Sequence, residues 1–201
     1  MVRAHDETNE AIVGAIDCVG QRWHDRGIHI TKFSKWLPGG ERREVDMGPT
    51  ATLLVSRSDY DAAGGFSDTL ILGDVDFSSA LRARGRALLF EPRAVVEHHH
   101  TQSFTSFIRE RWTRGVMYGQ LRAARRRDHR LELLGWFLVT ALPVRFVSNA
   151  FLVFSQCTTA SRLGELAATS PIVAAGYAAS LGGEALAYAQ LLLSKRTLSL
   201  P

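Results

Sequence analysis

Two long apolar stretches, Leu133 to Ser155 and Pro171 to Leu193, constrain this chain more than any other feature. Each is about as long as a helix that crosses a bilayer. The 201 residues leave room for one compact domain beside them and not for two large ones. Neither stretch is clean, because the first contains Pro143, Arg145 and Asn149 and the second Glu184 and Gln190. Thirteen Leu, Val and Phe residues in the first contribute about −4 to −8 kcal/mol to insertion, against roughly +3 for a central Arg145. That stretch can span. The second has seven Leu, Ile and Val residues, about −2 to −4 kcal/mol, which Glu184 nearly cancels. In a hairpin with both ends cytoplasmic, Arg145 would lie ~18 Å above Leu133 and Glu184 ~14 Å above Leu193. The depths nearly coincide, so the spacing predicts that Arg145 and Glu184 face each other and pair, as charges within membranes usually must. The alternative is a pair of amphipathic helices on the bilayer or on the soluble domain, with both charges in water.

The charge of +4 is local. Between residues 109 and 130 eight arginines face only Glu110 and Asp128, which makes that band +6 and leaves the rest at −2. Such a band suits phosphate groups of lipid, nucleotide or nucleic acid. Its end, Arg122 to Arg130, directly precedes the first apolar stretch, where the positive-inside rule expects cytoplasmic charge, and Lys195 and Arg196 flank the second in the same way. No aromatic interleaving accompanies the basic residues, so no nucleic-acid partner is expected. Cys18 and Cys157 lie far apart without metal-ligand spacing, which favours a reducing compartment over a disulfide framework. The first residues lack the apolar run of a signal peptide. The expectation is a membrane-associated protein whose body, residues 1–130, is cytoplasmic and whose residues 131–201 form a membrane-associated helical hairpin.

Within the body, Ala11, Ile12, Ala15, Ile16, Val19 and Trp23 fit helical spacing and predict a helix from Thr8 to about Trp23, capped by Thr8 or Asn9. Val45–Met47 and Ala51–Ser56 read as short strands after the Pro38-Gly39-Gly40 turn. A helical turn over Ser58–Ala63 is expected to stop at Gly64-Gly65. Asp74 to Arg84 reads as a helix with acidic residues in its first turn and Gly85 at its end. Ala87–Phe90 and Ala94–Val96 read as two extended segments parted by Pro92, and Ser103 opens a long helix that closes in the arginine band.

Four pieces then stand in order: Gly64-Gly65-Phe66, Gly73-Asp74-Val75-Asp76-Phe77, Pro92 to His98, and Arg109-Glu110-Arg111-Trp112 with Arg114-Gly115. Together they resemble the second half of a family-2 glycosyltransferase. Its members read Gly-Gly-Phe-Asp, Glu-Asp-x-Asp-Leu opening a helix, a Gly closing it, a Pro before a short strand and a His ending that strand. The resemblance covers about Gly48 to Gly119. It implies an α/β chain: the C-terminal part of a GT-A, or nucleotide-diphospho-sugar transferase, fold, followed by hydrophobic transmembrane helices.

The resemblance makes Asp74 the catalytic base that deprotonates the acceptor hydroxyl, with Gly65, Asp76, Arg111 and Trp112 on the substrate side. It makes His98 a ligand of a divalent metal, Mn2+ or Mg2+, under the sugar diphosphate. His99 and His100 are expected at the surface or behind the ligands. Two departures stand out, since the Glu of the Glu-Asp pair is replaced by Gly73 and a Gln of the processive members by Ile108. The plainer alternative for Asp74 and Asp76 is that they charge the first turn of an amphipathic helix. For Arg111 and Trp112 it is an arginine in solvent and a tryptophan in the core. The family also has a preceding nucleotide-binding half with an Asp-x-Asp, which no stretch before Asp74 supplies, so the metal is expected only together with that half. The implied partners are a nucleotide-sugar donor, a lipid-linked or polysaccharide acceptor, and the membrane. Two other readings stay open: a non-catalytic membrane-bound scaffold or partner subunit derived from the same fold, and an arginine-rich module binding anionic lipid or nucleic acid.

Overall fold

A computed structural model describes residues 1–8, 10–20, 22–66, 73–125 and 130–193. Asn9, Arg126, Arg127, Lys195 and Arg196, which the sequence reading used, lie outside the described residues. The chain is mixed α/β and divides into two compact units. One comprises residues 1–19, 35–99 and 159–161, the other residues 20–34, 100–158 and 162–201. The expected boundary at residue 130 therefore falls inside the second unit.

The first unit is built on a sheet of four strands among the described residues, in the order β2-β4-β1-β3. Strand β1 (Ala11–Cys18) is central, parallel to β4 (Leu88–His98) and antiparallel to β3 (Leu53–Leu54), while β2 (Arg43–Glu44) pairs antiparallel with β4. The helix expected over Thr8–Trp23 is thus corrected. Helix α1 (Val2–Thr8) ends where the expected helix should have begun, and β1 occupies half of the expected span. The physical reason lies in burial: Ala11 to Ile16 are buried without interruption, and a short strand covered on both faces needs a continuous apolar run, which periodicity cannot tell from a helix. The two segments expected around Pro92 are one strand. Pro92 is accommodated where the β1–β4 register slips between Gly14 and Ala15.

Helix α3 (Arg57–Ala62) is capped by Ser56, whose hydroxyl accepts from the Asp59 N–H at 3.1 Å and donates to the Asp59 carboxylate at 2.7 Å. That hydroxyl, helped by Arg86 and opposed by burial, holds the Asp59 carboxyl below its ordinary range. Helix α4 (Gly73–Ala83) matches its expected span and buries Phe77, Ser78 and Leu81. The rings of Tyr60, Phe66 and Phe77 pack together, the closest pair, Phe66 and Phe77, having centroids 4.6 Å apart.

The second unit is helical. Helix α2 (Trp23–Phe33) and α5 (Phe104–Arg125) pack on α8 (Leu163–Leu193), with Ile28, Phe107 and Ile172 as a shared core. Ser103 caps α5 as expected, its hydroxyl accepting from the Ser106 N–H at 3.2 Å. An added Cβ on Gly115 would collide with the Ser180 carbonyl, and one on Gly183 with the Trp112 carbonyl, so α5 and α8 meet backbone to backbone. Helix α8 begins eight residues before Pro171, which removes the amide that the Ala167 carbonyl would take. The Ser170 hydroxyl donates to that carbonyl instead, at 3.0 Å.

The stretch Leu133–Ser155 is two helices rather than one: α6 (Arg130–Ala141) and α7 (Val144–Thr159), bent by 60° at the break formed by Leu142 and Pro143. No single described helix is long and apolar enough to cross a membrane, although this bent pair passes by length and composition. Leu131, Leu142, Val147 and Phe151 on the pair are more than half exposed.

Candidate functional site

In the first unit the structure places Gly65, Asp74, Asp76 and His98. Gly64 and Gly65 form a Schellman stop to α3: the Gly65 N–H donates to the Tyr60 carbonyl at 3.0 Å and the Gly64 N–H to that of Asp61 at 3.2 Å. Gly65 has φ +70°, and a Cβ there would come within 3.0 Å of the Tyr60 hydroxyl oxygen. Glycine is thus required here by the turn itself, whatever else it contacts. Asp74 and Asp76 stand half-buried in the first turn of α4, and Asp74 Oδ1 accepts from the Val75 N–H at 2.9 Å. His98 is half-buried at the end of β4, in register with Cys18 on β1, and its carbonyl accepts from the Val19 N–H at 3.4 Å.

Among the described residues of this unit, no three His, Cys, Asp or Glu side chains converge as a metal's ligands would, at His98 or elsewhere. His98 supplies at most one ligand, so a Mn2+ or Mg2+ ion there would need further ligands from outside this unit's described residues.

The second unit places Arg111 and Trp112 on α5. Trp112 is 42% exposed, its ring lying against Gly182, whereas Arg111 is half-buried. Trp112 is thus more exposed, and Arg111 less, than the alternative of a solvated arginine and a core tryptophan expects. Arg111 Nη2 donates to Ser180 Oγ at 3.4 Å, and its Nε is buried without a hydrogen bond among the described residues. Burial pushes its pKa below the ordinary value, though a guanidinium keeps its charge at any physiological pH. His100, expected at the surface or behind the metal ligands, is buried, its Nε2 lying 3.1 Å from His29 Nδ1. The Phe33 ring packs beside both imidazoles, its centroid 5.3 Å from that of His29 and 6.3 Å from that of His100.

The expected pairing of Arg145 with Glu184 is present. Arg145 Nη1 lies 2.6 Å from Glu184 Oε1, on a carboxylate that is 4% exposed. Three partners were not foreseen: Arg122 also pairs with Glu184 Oε1, Tyr188 donates to the same oxygen at 2.7 Å, and both guanidiniums lie over the Trp136 ring, at 4.5 and 5.9 Å. Tyr188 was legible as the residue four positions after Glu184 on one helix. Arg122, 62 residues away, carried no signal. A further unforeseen cluster is in the first unit, where Glu91 takes Arg42 at 2.6 Å and Arg93 at 3.0 Å beside a cavity of about 380 Å3. Arg93, with Arg42 and against the cost of burial, holds the Glu91 carboxyl down at about 2.

No family model, curated protein or solved structure matches the chain.

Proposed function

We propose that the chain is the acceptor-side part of a family-2, GT-A-type glycosyltransferase, moving a sugar from a nucleotide diphosphate donor to a lipid-linked or polysaccharide acceptor at a membrane. The observation that carries this reading is the pair of half-buried carboxylates, Asp74 and Asp76, in the first turn of α4. The helix is anchored by buried Phe77 and Leu81, so its first turn is a fixed mount for a base. In the proposed reaction Asp74 takes the proton of the acceptor hydroxyl as its oxygen attacks the anomeric carbon. The bond from that carbon to the diphosphate breaks, and the nucleotide diphosphate leaves with the bonding pair. Asp76, Gly65, Arg111 and Trp112 are the substrate-side residues of this proposal, Arg111 offering a planar fork that suits phosphate oxygens. The large exposed apolar residues of α6 and α7 support membrane association.

A second reading, a non-catalytic membrane-bound partner that kept the fold, is favoured by one observation: Asp74 Oδ1 already serves the Val75 N–H, as a purely structural first-turn carboxylate would. The two separate in one assay. Membranes in which the chain is reconstituted with a donor-binding half are supplied with a panel of radiolabelled nucleotide diphospho-sugars, and label is followed into lipid-extractable and polysaccharide fractions. The enzyme reading expects chain-dependent transfer that Asp74→Asn abolishes. Transfer indifferent to Asp74→Asn leaves the scaffold reading.

A further inference from the structure

The cluster around Glu184 holds more positive charge than its carboxylate can neutralise. Arg122 and Arg145 share one buried acid, and Tyr188 brings no charge. Each guanidinium is also held from a second side, Arg122 by Tyr188 Oη at 2.9 Å and Arg145 by Thr140 Oγ1 at 3.0 Å, and both lie over Trp136. The forks are thus fixed before any ligand arrives, while their side chains remain 29% and 22% exposed. A pre-organised pair of forks with one surplus charge is the chemistry that recognises a phosphate group.

The surroundings say where that phosphate comes from. Arg145 stands between Val144 and Val147, exposed by 57% and 62%, and Thr140 follows Leu138 and Val139, exposed by 47% and 40%. A free phosphate has no use for such a rim. A lipid does, since its acyl chains cover the apolar residues while its headgroup reaches the arginines. We propose that Arg122 and Arg145, ordered by Glu184 and Trp136, form a binding site for the phosphate of an anionic lipid. The proposal rests on the membrane association argued above.

The geometry makes a clean test available. Removing one arginine takes away the surplus charge yet leaves Glu184 paired with the other, so the helices keep their clasp. Flotation of the purified chain is measured with phosphatidylcholine vesicles and with vesicles carrying one-fifth phosphatidic acid. The wild-type chain is expected to prefer the anionic vesicles. Arg122→Gln and Arg145→Gln should each cut that preference by more than the roughly fivefold that ~1 kcal/mol for any single basic residue at an anionic surface gives. Arg130→Gln, an exposed arginine at the start of α6, should change it less. An equal loss with Arg130→Gln would show diffuse attraction and overturn the site. Arg145-dependent binding of inorganic phosphate, with both vesicles bound equally, would overturn the lipid source. Equal binding of both vesicles by every variant would overturn the site and leave membrane association standing, whereas binding to neither would remove both.

Discussion

Closing the gap between α5 and α8 by one methyl group tests whether the second unit is held as tightly as its glycines imply. In Gly119→Ala the new Cβ would lie 2.8 Å from Ala187 Cβ and 3.0 Å from the Glu184 carbonyl oxygen. Carbon atoms rest about 3.5–4.0 Å apart, so the helices must part by about 1 Å. The neighbouring contacts at Gly115 and Gly183 are also backbone to backbone, and no flexible side chain can yield for them. Overpacking of this kind costs about 1–3 kcal/mol, and the rigid partners place Gly119→Ala in the upper half of that range. Alanine returns about 1 kcal/mol through its helix propensity. The net loss is about 1–2 kcal/mol, or roughly 2–8 °C in melting temperature for a chain of this size. Gly135, inside α6, has nothing within 4 Å of an added Cβ, so Gly135→Ala should gain up to about 1 kcal/mol. Thermal melts of the two variants in the same detergent should therefore move in opposite directions. Gly119→Ala melting at or above the wild-type temperature would refute the close packing.

Gly65→Ala forces a Cβ into positive φ beside the Tyr60 hydroxyl and should cost about 1–2 kcal/mol in denaturant titrations, whereas Gly85→Ala, also at positive φ but with open space around it, should cost less. Glu91 is depressed from the usual 4.5 to about 2, so its stabilisation is complete above about pH 4.5 and is lost as the pH falls toward 2. Because the Arg93 side chain is 84% exposed, solvent screening reduces the effect to on the order of 1 kcal/mol, and Glu91→Gln should flatten acid titrations between pH 5 and 2. Glu184→Leu leaves two guanidiniums without their acid and should cost about 3–5 kcal/mol, whereas Arg145→Leu leaves Glu184 paired with Arg122 and should cost markedly less. Equal losses in those two variants would show that Arg122 does not share the carboxylate.

What the sequence disclosed depended on how local each signal was. Helix α4 was legible because Asp74 and Gly85 mark its ends and Phe77 and Leu81 its buried face, and the stop after α3 because Gly64-Gly65 has few other uses. Strand β1 was misread because Ala11, Ile12, Ala15 and Ile16 fit a 3.6-residue period as well as a run buried on both faces. Only its partners, β4 and β3, decide between them, and they lie 40 residues and more along the chain. Arg145 and Glu184 were paired from depth alone, and the pair survives the 60° bend that replaces the expected straight span. The bend itself was signalled by Pro143. The surplus arginine was not, because which of the eight arginines in the band reaches Glu184 is set by helix packing.

The central claim, that Asp74 is the base of a sugar transfer, is tested most directly by single-turnover rates of Asp74→Asn in the reconstituted enzyme, with donor affinity measured in parallel. A positioned general base contributes roughly two or more powers of ten, so the rate should fall by at least about 100-fold while the donor dissociation constant barely changes. Asp76→Asn, two residues beyond the proposed base, should fall less. A near-normal rate in Asp74→Asn would contradict the account, and with it the reading of α4 as the mount of a catalytic carboxylate.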